Sequence, residues 1–404
     1  MATNEAELTT AARMASRETA PSRDALVDAA KALGPLIREN ADRGEQDRRL
    51  PAATAEALTE AGFFRLCRPR ELGGLEVDPI ILIDVVDEIA HHDGSAAWCA
   101  LNCGIAGVLQ SFVSQEGARE FGGAHDLVVN GVVAPSGRAL EVEGGYRVSG
   151  RWKLVSNCHH CHWLAPACIV FKGDTVSAGP TGPEGVMTWI KASDWRIIDT
   201  WDSAGLRATG SHDIEVSDVF VPKRRTAPLP PQNPVADGVL FRFPVLGLWS
   251  VGLAASALGI ARAAIDELLR LAATKTPLGM ASTLSTRTTT QIVVCEAMAT
   301  TRSARALLVE EATRMWEIVQ AGTPPTAEQQ ALLRIAATHA TAAAAGAVDR
   351  MYSAGGGSAL YASSPLQRCL RDVHAVTQHA FVAPPTLEPL GKILLGVEPD
   401  GFML

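Results

Sequence analysis

DTWDSAGLRATGSHDIEVSDVFVP, residues 199–222, carries the change of pattern on which the fold turns. Its first half mixes glycine, serine and aspartate, which favour turns over helix. Its second half sets Ile214 and Val216, then Val219 and Val221, among polar neighbours and stops at Pro222. Alternation of this kind reads as a strand with one buried face. Working outward, LVVNGVVAPSG (127–137), GYRVSGRWKLVSN (145–157), HWLAPACIVF (162–171), GVMTWIKA (185–192) and WRIIDTW (195–201) are similar short runs between glycine, proline and aspartate clusters. Residues 126–235 are therefore predicted as a central β-domain, left through the linker APLPPQNP (227–234).

The flanks have a helical period instead. Leu26, Ala29, Leu33 and Leu36, then Ala55, Leu58 and Ala61, recur at helical spacing, so residues 25–125 are predicted as an N-terminal helical domain. Within it, residues 79–112 read as two helices hinged at Asp93-Gly94-Ser95, where Asp93 or Ser95 can cap the second. After Phe243 the period returns over 246–273, Ser285–Gln320 and Thr326–Met351, with a further helix after Pro365. Residues 236–404 are predicted as a four-helix bundle. Residues 1–24, polar and rich in Ala, Ser and Thr, are predicted as a loose tail. The fold class is α+β.

Composition narrows the function. The chain has 404 residues, 47% hydrophobic and 20% charged, ordinary values for a folded multi-unit protein. Its formal net charge of −8, without a sustained basic run, argues against nucleic acid as a partner. The N-terminus lacks an apolar h-region, and no later segment reads as an uninterrupted apolar span of about 20 residues, which predicts a cytoplasmic protein off the membrane. Eight cysteines without a disulfide-scaffold spacing are expected to be free thiols.

Several motifs compete for chemistry. Cys158-His159-His160-Cys161-His162 contains the C-x-x-C-H spacing of covalent haem attachment, but it lies between two predicted strands, has no second ligand pair nearby, and reads as a connection; no metal is expected. Ser156 ends a strand whose alternation places Trp152, Leu154 and Ser156 on one face and Arg151, Lys153 and Val155 on the other. It is either a turn serine or a hydrogen-bond partner of a ligand. His91 and His92 read as a solvated helix end. Near the C-terminus, GGGSALYASSPLQRCLRDVHAVTQH (355–379) joins a glycine run, able to approach a ligand closely, to a helix bearing Arg371, Asp372, His374 and His379. Five residues separate the two histidines, roughly 140° on a helix, so they do not share a site. Phosphate-binding loops, a strand-linked G-x-G-x-x-G, H-E-x-x-H and G-x-S-x-G are missing from the sequence.

With these segments in hand, the order helical, β, helical resembles the acyl-CoA dehydrogenase superfamily over residues 25–398. The segments GYRVSGRWKLVSN, DTWDSAGLRATGSHDIEVSDVFVP, ALGIARAAIDE (257–267) and LQRCLRDVHAVTQH (366–379) carry the resemblance. Dehydrogenases of this superfamily place a proton-abstracting glutamate nine positions after the C-terminal Arg-Asp pair, which here is Ala380, or on the first helix after the β-domain, which here falls near Trp249. Neither position holds a carboxylate base.

The pattern instead resembles the flavin-dependent oxygenase components of two-component monooxygenases, related to p-hydroxyphenylacetate, steroid-phenol and dibenzothiophene oxygenases. The resemblance implies that Ser156 meets flavin N5 and that His379 stabilises or protonates a C4a-hydroperoxide. It also implies a cofactor site completed by Trp152, Asn157, Gly356, Gly357 and Arg371. Phenol hydroxylases of the group carry a histidine where this chain has Ala106, so any phenol base must be Asn102, Cys103 or Asn130. The element that grips the adenosine end of FAD is reduced to Lys275–Gly279, which favours reduced FMN.

The expectation is an FMNH2-dependent monooxygenase that uses O2, is fed by a separate NAD(P)H:flavin reductase, oxygenates an aromatic or heteroaromatic molecule and assembles as a homotetramer. Trp98, Asn102, Cys103, Asn130 and Trp249 are the candidate substrate-pocket residues. A dehydrogenase with a relocated base and a flavin-free scaffold are the alternatives.

Overall fold

The computed structural model describes residues 21–121, 124–179 and 182–398, so most of the expected N-terminal tail lies outside the described residues. Helix α1 (Arg23–Asp47) begins earlier than the sequence pattern suggests, because the Ser22 hydroxyl accepts from the Ala25 amide and caps it. It is followed by α2 (Ala52–Glu60), α3 (Pro79–His92), α4 (Gly94–Ala106) and α5 (Gln115–Phe121). Asp78 caps α3 through the Ile80 and Ile81 amides with Pro79 in the first turn. The hinge predicted at Asp93 is real: its extended backbone ends α3, and its carboxylate accepts from Ala96 to start α4.

The β-domain follows. Its principal strands are β1 (Val129–Val142), β2 (Gly145–Val155), β3 (Trp163–Lys172), β4 (Gly185–Thr188), β5 (Arg196–Ile198), β6 (His212–Pro222) and β7 (Thr226–Leu229). They form one sheet in the order β7-β4-β3-β1-β2-β6-β5, and Thr175–Val176 and Ile190–Lys191 also pair with β3. β1 runs parallel to β3 and antiparallel to β2, with Gly137 opposite Gly150. Trp152 lies across those two glycines: a Cβ on Gly137 would come within 2.1 Å of its ring. Its indole N–H donates to the Ala167 carbonyl, and with Val148, Val155, Leu164, Cys168 and Ile214 it forms a core separate from the larger helical one.

Four helices complete the chain: α6 (Val245–Thr274), α7 (Thr288–Gln320), α8 (Ala327–Gly355) and α9 (Pro365–Val376), with a short α10 (Leu387–Leu394) behind them. α6 packs against α3, α8 and α9, and α7 lies against α8. Thr326 and Gln329 form a reciprocal capping box at the start of α8. Alanines along α8, such as Ala337, Ala340, Ala344 and Ala347, are wholly buried and let the helices approach closely. Two helical stretches, Val245–Thr274 and Ala327–Leu360, are long and apolar enough by composition to cross a membrane, which the sequence reading missed; both are largely buried within the protein.

Candidate active site

Ser156 reaches its position through a fault in β2. The alternation predicted for this strand fails: Leu154 is 67% exposed while Val155 is buried. The cause is a bulge. His212 of β6 pairs with Val155 but Ile214 pairs with Trp152, so β2 has one residue more than its partner, and Leu154 takes φ of 60°. The extra residue turns Leu154 outward and Val155 inward, and delivers Ser156 to the face covered by α4.

There the Ser156 hydroxyl accepts from the Trp98 indole N–H at 2.9 Å and lies 2.9 Å from the Ser211 hydroxyl. Ser211 is in turn 2.7 Å from the Thr209 hydroxyl, which bonds the Leu206 carbonyl at 2.8 Å. The Ser156 carbonyl accepts from the Asn130 amide at 2.5 Å. Asn157, in the left-handed region at φ 58°, donates its backbone N–H to Thr209 and its side-chain amide to Cys103. Its Oδ1 is buried with no protein partner.

Trp98 also touches the second expected residue. Its ring lies edge-on to His379 with centroids 5.7 Å apart, and His379 packs edge-on to Phe381 at 4.9 Å. His379 is not on the C-terminal helix as predicted: α9 ends at Val376, and the histidine sits in the turn beyond it. That turn is held from both sides, by Ser250 on the Phe381 carbonyl and Thr386 on the Ala380 carbonyl. The Phe381 amide donates to His379 Nδ1 at 3.3 Å, which leaves the ring proton on Nε2. Burial among apolar groups lowers the imidazole pKa to about 4, so it is a neutral N–H donor at neutral pH.

The remaining expected site residues divide. Trp98, Cys103, Asn130, Asn157 and Ser156 come together, whereas Trp152 does not join them: it is wholly buried in the β core with its N–H bonded, and presents no face to a cofactor. Asn102 bonds its own helix at the Trp98 carbonyl. Ala106 is buried in α4, and Trp249 is buried on α6, beside the Ser250 that pins the His379 turn. Arg371 is engaged with Glu45 at 2.7 Å, Gln367 at 2.6 Å and the Ala204 carbonyl at 2.6 Å. Gly356 starts a turn after α8 with φ of 55°, and Gly357 has nothing within 4 Å of a Cβ. Both lie at an open surface.

The neighbour of Arg371 proves more informative. Asp372 is buried and accepts from the Leu206 amide at 2.6 Å. Burial and the nearby Asp93 carboxylate push its pKa up to about 7. Together Arg371 and Asp372 clamp residues 204–206, the loop that ends the Ser156–Ser211–Thr209 chain. Gly205 fits this clamp because a Cβ there would meet the Arg371 carbonyl oxygen at 2.0 Å. Ser211, Thr209 and Leu154 were missed in the sequence. The first two were visible only as part of the turn-rich 199–222 segment, and Leu154 had no signal, since a bulge cannot be read from alternation.

Other motifs have local partners. The 158–162 motif connects β2 to β3 as expected: Cys158 lies 3.2 Å from the Gly210 carbonyl, His160 bonds the Leu50 carbonyl and His162 accepts from the Val128 amide. All eight cysteines are free. His374 forms an exposed pair with Asp349 at 2.8 Å. The reading of His91 and His92 as a solvated end is corrected. His91 pairs with Asp266, and His92 is largely covered beside Glu88, which is itself held by Arg262.

A cavity of about 540 Å³ is lined by Phe112, Val133, Phe243 and Leu246 and by Pro230, Pro231 and Pro234 of the linker. Leu246 is one helical turn before Ser250. For an isoalloxazine, the residues fit: its ring N–H groups require acceptors, and Ser156 Oγ and the orphaned Asn157 Oδ1 are buried acceptors on adjacent residues, with the exposed Leu154 close in the chain.

Comparison with known proteins agrees. Residues 22–121 match the family model of the acyl-CoA dehydrogenase N-terminal domain and residues 251–384 that of the acyl-CoA dehydrogenase C-terminal domain. The chain is 34% identical over 382 residues to indole-3-acetate monooxygenase of Pseudomonas putida, covering 94% of each protein. It is 30% identical to the flavin-dependent monooxygenase oxygenase subunit HsaA of Rhodococcus jostii, covering 86% of this chain and 92% of that one. The structure of XiaF from Streptomyces sp., solved with FADH2 and glycerol, superposes with a TM-score of 0.89 at 25% identity, over 95% of this chain and 98% of that one. The chain thus belongs to the acyl-CoA dehydrogenase family, among its flavin-dependent monooxygenases.

Proposed function

We propose that this protein is an oxygenase component that receives reduced FMN from a separate NAD(P)H:flavin reductase and, with O2, oxygenates an indole-like heteroaromatic rather than a phenol. The observation that carries the reading is the single indole of Trp98 joining Ser156 to His379. The flavin supplies the oxygen chemistry when bound. Ser156 accepts at N5, the neutral His379 Nε2–H donates toward the reacting oxygen, and Trp98, Phe381 and Trp249 keep water away. Neither Ala380 nor Trp249 can abstract a substrate proton, which weighs against dehydrogenation.

The substrate class follows from what surrounds Ala106. A phenol needs a base, but Asn102 and Asn130 are amides already bonded, and Cys103 accepts from Asn157. An electron-rich indole carbon attacks an electrophilic oxygen without prior deprotonation, and the Pseudomonas relative is named for an indole acid. FMN is favoured because Lys275 donates to the Gly355 carbonyl at 2.6 Å instead of standing free for a pyrophosphate. The XiaF structure with FADH2 favours FAD as the second reading. Outward apolar residues on α7, among them Ile292, Met298 and Leu307, support burial against further copies in a homotetramer, and eight free thiols suit the cytoplasm.

The test is direct. Enzyme mixed anaerobically with reduced FMN or FAD is exposed to oxygen with indole-3-acetate or with resorcinol, and oxygenated product and hydrogen peroxide are both measured. The reading expects product from the indole alone, with FMN. Peroxide only, or turnover of the phenol, refutes it.

A further inference from the structure

The hydroxyl chain behind Ser156 has a direction, and hydrogen-bond capacity determines it. The Leu206 carbonyl can only accept, so Thr209 donates its single hydroxyl proton there. Thr209 then accepts from Ser211, whose own proton is thereby used. Ser211 in turn accepts from Ser156. At the other end the Trp98 indole can only donate, so Ser156 accepts from it. With one bond given and one received, the Ser156 oxygen keeps a lone pair and no proton for anything else.

We propose that Trp98, Ser211 and Thr209 form a directional relay that fixes Ser156 as a hydrogen-bond acceptor. This sets the site's preference for reduced flavin, whose N5 bears a proton, over oxidised flavin, whose N5 does not. Oxidised flavin offers N5 only as an acceptor, and meets a lone pair. The relay is anchored away from the cavity, because Leu206 is tied through its amide to Asp372 and Ala204 through its carbonyl to Arg371. Ser211 and Thr209 are positioning residues: they act through Ser156. The inference rests on the flavin reading above.

The test measures anaerobic dissociation constants of oxidised FMN and dithionite-reduced FMN for the full-length protein and for Ser211→Ala, Thr209→Val and Ser211→Thr, with thermal unfolding as a folding control. Each of the first two variants frees Ser156 to donate. The reduced-over-oxidised affinity ratio is expected to fall about five- to tenfold, the effect of one mismatched hydrogen bond. This appears as a midpoint potential of bound FMN lower by roughly 20–30 mV for a two-electron couple. Ser211→Thr keeps the hydroxyl and should keep the ratio. If the native protein prefers reduced FMN and folded Ser211→Ala and Thr209→Val preserve that ratio, the relay is overturned while the flavin site stands. If the native protein binds neither form, the flavin reading and the relay are overturned together.

Discussion

Replacing Gly205 by alanine tests whether the Arg371–Asp372 pair is a clamp on the 204–206 loop. A Cβ at this position would lie 2.0 Å from the Arg371 carbonyl oxygen, 2.4 Å from its carbon and 2.9 Å from the Asp372 nitrogen. All three are backbone atoms in a packed helix, so no side chain can swing aside. Restoring ordinary contact moves the loop by about 1.5 Å. A shift of that size breaks the bonds from Leu206 N to Asp372 and from Arg371 to the Ala204 carbonyl, each 2.6 Å long. Bonds involving charged groups contribute about 1.5–3 kcal/mol each, so the loss of two is expected to be about 3–6 kcal/mol. Urea unfolding followed by circular dichroism reads this as a lower midpoint at unchanged slope. The loop also ends the hydroxyl chain, so preference for reduced FMN should fall with it. A loss below about 0.5 kcal/mol, within the range of an ordinary surface substitution, would refute the clamp.

Four further outcomes are expected. His379→Ala should leave flavin affinity nearly unchanged but shift oxygen use from product to hydrogen peroxide by about tenfold or more, measured by peroxide release per FMNH2 consumed. Because burial lowers the His379 pKa to about 4, the unfolded chain takes up a proton there that the native state refuses. This contribution is intact above pH 6.5, is lost as pH falls toward 4, and amounts to at most about 3 kcal/mol; the pH profile of unfolding in His379→Ala should be flatter in that window. Asp372 has the opposite sign, since its native pKa of about 7 lies above the unfolded value, so ionisation destabilises the fold as pH rises through the range up to 7. Asp372→Asn keeps an oxygen for Leu206 and should be more stable than native at pH 8 by on the order of 2 kcal/mol, with the gap closing toward pH 5; equal stability at pH 8 would argue against the buried charge. Leu154→Gly relieves the positive φ at an exposed site and should stabilise the free protein by up to about 1 kcal/mol while weakening FMN binding, measured by unfolding and by fluorescence titration.

The fold was legible in the sequence because periodicity is a local signal. The strands between 127 and 222, the break at Asp93 and the long helices after Phe243 each carry their own residues' pattern. Ser156 and His379 were legible only through resemblance, and their contact was not, because Trp98 bridges them from 58 residues before the serine. Ser211 and Thr209 are ordinary turn residues until the strand pairing of β2 with β6 sets them behind Ser156. Trp152 was misread for the reverse reason: it stands in the same run as Ser156, but tertiary packing on Gly137 and Gly150 takes it to another core. His374 and His379 were separated by counting helical turns, whereas the actual reason is that the helix stops at Val376.

The bulge in β2 behaves like an insertion that leaves the reading frame on either side intact. Lys153 and Leu154 together oppose a single residue of β6, so removing either would leave Trp152 and Val155 two residues apart opposite Ile214 and His212, on the face they already share. A single deletion here erases the outward residue with positive φ near Ser156 and reassigns no face. Descendants of this chain that lack the extra residue would therefore keep the β core and lose the exposed side chain near Ser156, and homologous sequences align across this strand with any one-residue gap placed between Trp152 and Val155.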